Sequence, residues 1–161
     1  MTIKVGDRLP KATLREMTSD GVKTRTVDEL TRGRRVVVIG LPGAFTPTCS
    51  TRHVPSYIDR YAELKARSID DILCVSVNDA FVMDAWGRGL NAVGKIRMLA
   101  DGNAEFTKAI GLESDRSDSG MGIRSRRYSM LVEDGVVRTF NLEESGKYEN
   151  SDADTLLTQI T

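Results

Sequence analysis

The sequence predicts an α/β domain in which a β-hairpin precedes strands that alternate with helices, and a second hairpin follows them. Residues 36–39 are four β-branched residues without polar alternation, which is typical of a strand buried on both faces. Between residues 50 and 66, apolar and aromatic residues recur every three or four positions, as on the buried face of a helix. Asp134-Gly135 lies between two apolar runs and is a strong hairpin signal. Together these patterns indicate the α/β class.

The predicted elements follow in order along the chain. The first 35 residues are rich in turn residues, and the weak alternation over 12–17 before the turn Ser19-Asp20-Gly21 predicts a hairpin. The further predicted elements are a helical turn at 27–30, the core strand at 36–39, a helix at 50–66, a strand at 72–77, a helix at 80–88, a strand at 96–99, a helix at 101–110, a polar loop at 113–126, hairpin strands at 128–132 and 136–140, and a helix at 153–160. Parallel strands followed by a hairpin resemble the thioredoxin fold with an added N-terminal β-hairpin.

Length and charge limit the kind of protein this is. The chain has 161 residues, the size of one domain, so residues 1–161 are predicted to form a single domain. Lys plus Arg number 23 and Asp plus Glu number 23, so net charge favours neither nucleic acid nor an anionic membrane surface as a partner. No run approaches about 18 apolar residues, and no secretory signal is visible at the start. A cytoplasmic protein with small substrates is expected.

Cysteine and histidine counts bear on redox state and metals. Two cysteines in a chain with no export signal, Cys49 and Cys74, are expected to be reduced thiols rather than a structural bridge. One histidine and two cysteines are too few for most zinc sites. The sequence therefore predicts neither a metal ion nor a cofactor.

Residues 40–50 connect the core strand to the next helix and carry Cys49. Two glycines and two prolines turn the chain so that Cys49 lies at or within the first helical turn. The unsatisfied N–H groups and the positive end of the helix dipole favour thiolate over thiol there. Thr46 precedes Cys49 with the spacing of a redox C-x-x-C motif, with threonine in place of the first cysteine. This single sulfur can be oxidised but cannot close a disulfide within its own motif.

Six segments together carry a family resemblance: 5–10 (VGDRLP), 42–50 (PGAFTPTCS), 53–55 (HVP), 77–82 (VNDAFV), 86–88 (WGR) and 127–130 (RYSM). They resemble the type II peroxiredoxins, the group that includes the atypical two-cysteine enzymes, through nearly the whole chain. The resemblance implies a thiol-dependent peroxidase that reduces hydrogen peroxide and organic hydroperoxides. It also implies recycling by an external thiol system, either glutathione with glutaredoxin or thioredoxin, and a homodimer packed near the active site.

The resemblance assigns roles to four residues. It implies that Cys49 is the peroxidatic cysteine, whose sulfur becomes a sulfenic acid, and that Thr46 offers its hydroxyl to the peroxide. It further implies that Pro42 shields the thiolate from water and that Arg127 places a guanidinium beside it. These roles are expectations for the structure to meet.

Three further residues are secondary candidates. His53 and Arg88 match family positions around the pocket; His53 lies one helical turn after Cys49, where it either favours the thiolate, lies behind the site or lies at the surface. Cys74 matches a second cysteine of other members but lies in an apolar strand, where inert packing is the alternative to a resolving role. Residues 143–161 contain no cysteine, which casts doubt on a disulfide cycle within the chain.

Thiolate formation alone cannot make a fast peroxidase. Lowering a thiol pKa from about 8.5 to about 6 raises the thiolate fraction at neutral pH about 30-fold but removes on the order of 10-fold in nucleophilicity. Most of the acceleration must come from groups placed where charge develops on the breaking O–O bond. Arg127, the Thr46 hydroxyl and N–H groups near Cys49 are the candidates. Arg124 and Arg126, by contrast, are predicted to be ordinary loop charges.

Two other functions use a single reactive cysteine. A cysteine phosphatase needs Cys-x5-Arg, but the required position holds Pro55, so this function is set aside. A non-enzymatic redox sensor, in which oxidation of Cys49 switches a partner interface, remains the alternative. Stopped-flow kinetics separates the two, because a sensor tolerates slow oxidation without turnover while a peroxidase must be recycled.

Overall fold

A computed structural model describes residues 2–160 of the chain. The helices are α1 (Val27–Thr31), α2 (Val54–Asp59), α3 (Tyr61–Ala66), α4 (Ala80–Gly89), α5 (Glu105–Ala109) and α6 (Ala153–Gln159). The strands are β1 (Thr13–Thr18), β2 (Gly21–Thr26), β3 (Arg35–Gly40), β4 (Asp71–Ser76), β5 (Arg97–Ala100), β6 (Glu113–Arg116), β7 (Gly122–Ser125), β8 (Tyr128–Glu133) and β9 (Val136–Leu142).

One mixed sheet organises the described residues, with strand order β2-β1-β5-β4-β3-β8-β9. The central strands β3, β4 and β5 are parallel, and an antiparallel hairpin flanks them on each side, β1 with β2 and β8 with β9. This arrangement confirms the predicted thioredoxin-like α/β fold with an N-terminal hairpin. No helix within residues 2–160 has the length and apolar character needed to cross a membrane.

Both faces of the sheet are covered by helices. Successive side chains of a strand point to opposite faces. Val37 and Ile39 of β3 pack in a core with residues of α2, α3, α4 and α6, whereas Val36 and Val38 pack in a second core with residues of α1 and α5. The run at 36–39 is therefore apolar without alternation because neither face of β3 meets water.

The helix predicted at 50–66 is not continuous. The chain is helical from Pro47, passes through a π-helical turn at Cys49–His53, continues as α2 and breaks at Arg60 before α3. In the π turn, the Val54 N–H bonds to the carbonyl of Cys49, five residues back. Pro55 explains the widened turn, because it has no N–H to donate and its ring clashes with the carbonyl four residues before it. The apolar spacing identified the buried face but could not reveal this irregularity.

The polar loop predicted at 113–126 is wrong in part. Most of these residues form the antiparallel β6–β7 hairpin, which is joined through a 3-10 turn at Ser117–Ser119. Asp115 stabilises that turn, since its Oδ1 accepts hydrogen bonds from the N–H and the hydroxyl of Ser117 at 2.9 and 2.5 Å. β6 has no apolar side chain and β7 has one, Ile123, so apolar periodicity could not detect these strands.

The register of the sheet brings distant parts of the sequence together. Gly40 at the end of β3 pairs with Tyr128 at the start of β8. A Cβ atom at Gly40 would lie 2.0 Å from the Tyr128 ring, so glycine is required there. Because the two strands are antiparallel, the chain leaving β3 toward Cys49 lies beside the chain that enters β8 from Arg127.

Candidate active site

Cys49 lies in the first turn of its helix and is completely buried. Pro47 and Thr48 precede it with helical geometry, and the Ser50 N–H bonds to the Thr46 carbonyl at 3.0 Å. N–H groups in a first turn have no carbonyl acceptor within the helix. The sulfur therefore lies in the electropositive setting that the sequence predicts.

Arg127 contacts the sulfur of Cys49. Its Nη2 donates to Sγ at 3.2 Å, across 78 positions of sequence. Its second terminal nitrogen, Nη1, donates to Nδ1 of His53 at 2.9 Å. A guanidinium remains charged at every accessible pH, so this contact stabilises negative charge on the sulfur. The structure thus brings Cys49 and Arg127 together, as the resemblance implies.

Thr46 and Pro42 line a cleft of about 350 Å³ that is also lined by Thr48, which precedes Cys49, and by Arg127, which contacts its sulfur. The Thr46 hydroxyl donates its hydrogen to the Gly43 carbonyl at 2.7 Å. Its oxygen lone pairs are left to accept a hydrogen bond from a molecule in the cleft. Pro42 carries no N–H and cannot donate to a water molecule there. The two residues therefore present one acceptor and one apolar surface to a molecule in the cleft.

Arg124 is not the ordinary loop charge that the sequence predicts. From β7, its Nη1 donates to the Pro42 carbonyl at 3.3 Å and its Nε donates to the Met121 carbonyl at 2.9 Å. Gly43 leaves room for this side chain, because a Cβ atom there would lie 2.6 Å from Nη1. The β6–β7 hairpin therefore holds the turn that leads to Cys49. An arginine on a polar segment normally lies in solvent, so no sequence signal pointed to this contact.

His53 is completely buried and lies against Arg127. Since arginine cannot accept a hydrogen bond, Nδ1 is the acceptor, and the ring proton is on Nε2, which donates to the Ser151 carbonyl at 3.1 Å. Burial, followed by the positive charge of Arg127, lowers the pKa of His53 to about 3. The ring is therefore neutral near pH 7. A cationic His53 that favours the thiolate is excluded, and the residue lies behind the site.

A segment after β9, which we call the C-terminal strap (residues 143–152), supports His53. One carboxylate oxygen of Glu143, Oε2, accepts the N–H groups of Glu149, Asn150 and Ser151 at 2.8, 2.8 and 2.9 Å, and the Ser151 hydroxyl at 2.7 Å. Burial would raise the pKa of Glu143, but these hydrogen bonds outweigh burial and lower it. Sequence reasoning missed this residue, because a single glutamate after a strand carries no motif.

Cys74 lies in β4, in the same core as Cys49. Its neighbours in the sheet are Ile39 and Met98, it is completely buried, and both cysteines are free thiols. Burial, and then the charge at Cys49, raise the pKa of the Cys74 thiol. A protonated, buried thiol is a poor nucleophile. This environment favours packing over a resolving role.

Arg88 is not brought into contact with Cys49. It is exposed on α4, and its Nε lies 3.0 Å from Oδ2 of Asp84. Trp86 on the same helix is buried, and its ring N–H donates to the Ser50 hydroxyl at 2.9 Å, which ties α4 to the first turn beside Cys49. Among residues 2–160, no three or more histidine, cysteine or acidic side chains cluster in a way that could hold a metal ion.

The fold and this site together define a class of protein. A thioredoxin-like sheet with a cysteine at a helix start, contacted by an arginine, is the arrangement of an enzyme that uses a thiol in redox chemistry. The Redoxin family model matches residues 4–157. The chain belongs to this family, and its relatives within it are peroxiredoxins.

The similarity to peroxiredoxins extends over nearly the whole chain. The chain is 48% identical over 160 residues to Peroxiredoxin-2E, chloroplastic, of Arabidopsis thaliana, covering 97% of this chain and 68% of that protein. It is 44% identical over 156 residues to Peroxiredoxin-2B of the same plant, covering 96% of each. Reduced Prx3 from Vibrio vulnificus in complex with H2O2 superposes with a TM-score of 0.95 at 49% identity, covering 98% of this chain and 99% of that one. These findings confirm a type II peroxiredoxin, which is a thiol-dependent peroxidase.

Proposed function

We propose that Cys49 is the peroxidatic cysteine of this peroxidase. The observation that supports this assignment most directly is the 3.2 Å contact between Arg127 Nη2 and Cys49 Sγ. In the proposed step, the thiolate attacks the terminal O–H oxygen of a hydroperoxide, and an S–O bond forms as the O–O bond breaks. The sulfur is oxidised to a sulfenic acid, and the peroxide is reduced to an alkoxide or hydroxide that takes up a proton to give an alcohol or water.

Arg127 has two successive roles in this proposal. Before the reaction it balances the negative charge on Cys49. As the O–O bond breaks, that charge moves to the departing oxygen, and a guanidinium already held in place stabilises it without reorganising. The second hydrogen bond of Arg127, to His53, keeps the group fixed while this happens.

Thr46 and Pro42 are proposed to orient the peroxide and to limit water. The Thr46 hydroxyl uses its hydrogen on Gly43, so its lone pairs can accept the O–H of the peroxide and direct the O–O bond toward the sulfur. Pro42 lines the same cleft, and Cys49 has no exposed surface. Low hydration strengthens the electrostatic effect of Arg127.

Peroxide consumption by two matched variants tests the assignment. Cys49→Ser is expected to abolish consumption of hydrogen peroxide and of organic hydroperoxides, because an alcohol is not ionised near pH 7. Cys74→Ser makes the same atomic change at a buried cysteine and is expected to leave turnover with an external thiol largely intact. Activity in a folded Cys49→Ser protein, or loss of activity in a folded Cys74→Ser protein, contradicts the assignment. Sustained turnover of the wild type also excludes the redox-sensor alternative.

The proposed reductant is an external thiol, either glutathione with glutaredoxin or thioredoxin. The chain contains two cysteines, and the second, Cys74, lies in β4, the middle strand of the seven-stranded sheet. A bridge between Cys49 and Cys74 would require local unfolding of β4. Four cationic side chains line the cleft against two acidic ones, and this excess of positive charge gives an incoming thiolate a favourable approach; the cationic residues are Arg116, Arg126, Arg127 and Lys147, and the acidic ones are Glu143 and Glu144. A mixed disulfide at Cys49 after oxidation and addition of glutathione supports this cycle, and a Cys49–Cys74 disulfide contradicts it.

The proposed assembly is a homodimer that packs near the active site. Phe45 and Phe81 are 62% and 68% exposed, and the Phe45 ring lies 6.4 Å from the ring of Trp86 beside the site. Exposed aromatic residues of this kind support an interface. A Phe81→Glu variant that sediments as a monomer, against a wild-type dimer, would agree with this proposal.

Residues 1–161 are proposed to form one domain located in the cytoplasm. The family match to residues 4–157 supports the first part. The compartment rests on the sequence alone, and Peroxiredoxin-2E of Arabidopsis thaliana is named chloroplastic. Fractionation of the native cell tests this directly.

A further inference from the structure

A continuous hydrogen-bonded path runs from the sulfur of Cys49 to the C-terminal strap. Arg127 bridges Cys49 and His53 through its two terminal nitrogens. His53 donates to the Ser151 carbonyl, and Ser151 donates its N–H and its hydroxyl to Glu143. His53 and Ser151 are completely buried, and Glu143 is 3% exposed. Every link beyond Arg127 is therefore shielded from water.

In each hydrogen bond of the path, only one of the two groups can be the donor. An ionised Glu143 only accepts hydrogen bonds, and Arg127 only donates them. The Ser151 carbonyl also accepts the Tyr57 hydroxyl at 2.7 Å, which fixes its orientation. His53 must then carry its proton on Nε2 and present a lone pair on Nδ1 to Arg127. A change in the strap that rotates the Ser151 carbonyl would remove the acceptor that keeps the His53 proton on Nε2.

The strap is also attached to the backbone of Arg127. The N–H of Glu143 donates to the Arg127 carbonyl at 2.9 Å, which continues the pairing of β8 with β9 by one step. Tyr148, further along the strap, places its ring 5.9 Å from the Arg127 guanidinium and 5.4 Å from the His53 ring. Glu143 therefore holds a segment that contacts Arg127 in three ways: at the Arg127 backbone, at the Arg127 side chain and through His53.

We propose that Glu143 is a positioning residue for the peroxide reaction. It holds the strap so that the Ser151 carbonyl sets the tautomer of His53. His53 in turn holds the Arg127 guanidinium against Cys49. This inference rests on the proposed role of Arg127. Glu143 also borders the cleft, but it makes no hydrogen bond to the Cys49 sulfur, and its Oε2 is occupied by four donors of the strap. If its carboxylate is lost, the three strap N–H groups lose their acceptor, and the strap must move to find another.

The first test compares Glu143→Gln with Glu149→Gln. The amide is the same size as the carboxylate and can place its one oxygen at the Oε2 position, but it carries no negative charge, so it holds the four donors of the strap more weakly. Glu149 lies in the same strap with an exposed side chain and is the matched control. Glu143→Gln is expected to slow the second-order reaction of Cys49 with hydrogen peroxide about 10-fold or more, because misplacing a group by about 1 Å costs up to about 100-fold.

Alkylation of Cys49 separates positioning from general damage. Iodoacetamide reacts with the same thiolate but has no O–O bond to break, so it depends far less on the placement of Arg127. We expect Glu143→Gln to change the alkylation rate by less than about 3-fold and Glu149→Gln to change neither rate. An unchanged peroxide rate in folded Glu143→Gln, or equal losses in both reactions, would overturn the proposal.

The second test observes the His53 ring. The chain has one histidine, so its side-chain ¹⁵N signals belong to His53 without ambiguity. The wild type and Glu149→Gln are expected to show a neutral ring with the proton on Nε2, and Glu143→Gln is expected to lose this preference. A wild-type spectrum in Glu143→Gln combined with a slow peroxide reaction would show that Glu143 does not act through His53 and would overturn the proposal.

A milder variant covers the case in which Glu143→Gln does not fold. Ser151→Ala removes one of the four donors to Glu143 and keeps the Ser151 carbonyl; it is expected to slow the peroxide reaction about 3-fold at an unchanged alkylation rate. An unchanged peroxide rate in that variant overturns the proposal. Cys49→Ser distinguishes this failure from that of the proposed function, because it tests the peroxidatic role independently of the strap.

Discussion

Acid destabilisation through His53 follows from its burial beside Arg127. The pKa of His53 is about 3 in the folded protein, whereas an unperturbed histidine has a pKa of about 6.5. Between these values the unfolded chain binds a proton that the folded protein does not bind. The stability that His53 contributes as a neutral ring is therefore fully present above about pH 6.5 and decreases as the pH falls toward about 3.

The size of the effect follows from the same two pKa values. Each pH unit below about 6.5 costs about 1.4 kcal/mol, so at about pH 5 the free energy of unfolding is about 2 kcal/mol lower than near neutral pH. The carboxylates of Glu16 and Glu143 have lowered pKa values, so their contributions to the free energy of unfolding are lost only at more acidic pH. His53 is the single histidine of the chain and dominates this window.

Urea unfolding at about pH 7.5 and about pH 5 measures this loss. The matched variant is His53→Gln, since glutamine can accept from Arg127 and donate to the Ser151 carbonyl but does not titrate. We expect the wild type to lose about 2 kcal/mol more than the variant over this range. Equal losses in the two proteins would show that His53 is not held neutral in the fold and would refute the geometry deduced for Arg127.

Three further predictions concern the reaction itself. Arg127→Ala is expected to lower the second-order rate constant with hydrogen peroxide about 100-fold, measured by stopped flow, and to reduce the thiolate absorbance far less; equal reductions would contradict the transition-state role. Thr46→Val is expected to slow the peroxide reaction about 10-fold while iodoacetamide alkylation stays constant, and slowing of both would indicate disruption of the helix start instead. Gly43→Ala places a Cβ 2.6 Å from Arg124 Nη1 and is expected to slow the peroxide reaction, whereas Gly89→Ala, which meets open space, is the control; matching activities would show that the Arg124 contact is dispensable.

Local patterns were sufficient to predict most of the fold. The parallel strands, the final hairpin and the N-terminal hairpin each have a period or turn signal that depends on neighbouring residues. The continuous helix at 50–66 was wrong because Pro55 acts on the geometry of the preceding turn, which a count of apolar spacings does not register. The β6–β7 hairpin was missed because its two strands contain a single apolar side chain, Ile123, which is too few to form a pattern.

The site was predictable only as far as its motif extends. Cys49 and Thr46 lie in one short segment, whereas Arg127 was singled out by family resemblance and reaches the sulfur through the register of β3 with β8. Arg124 and Glu143 carry no local signal, because their partners are backbone carbonyls and N–H groups, which every sequence contains. Contacts of this kind depend on tertiary structure and become visible only when the chain is folded.

Mass spectrometry of the reduced protein after one equivalent of hydrogen peroxide tests the central claim most directly. The account predicts a sulfenic acid, trapped as an adduct, on Cys49 alone, with Cys74 remaining a free thiol. Oxidation that falls on Cys74, or that leaves Cys49 unmodified while peroxide is consumed, would contradict it.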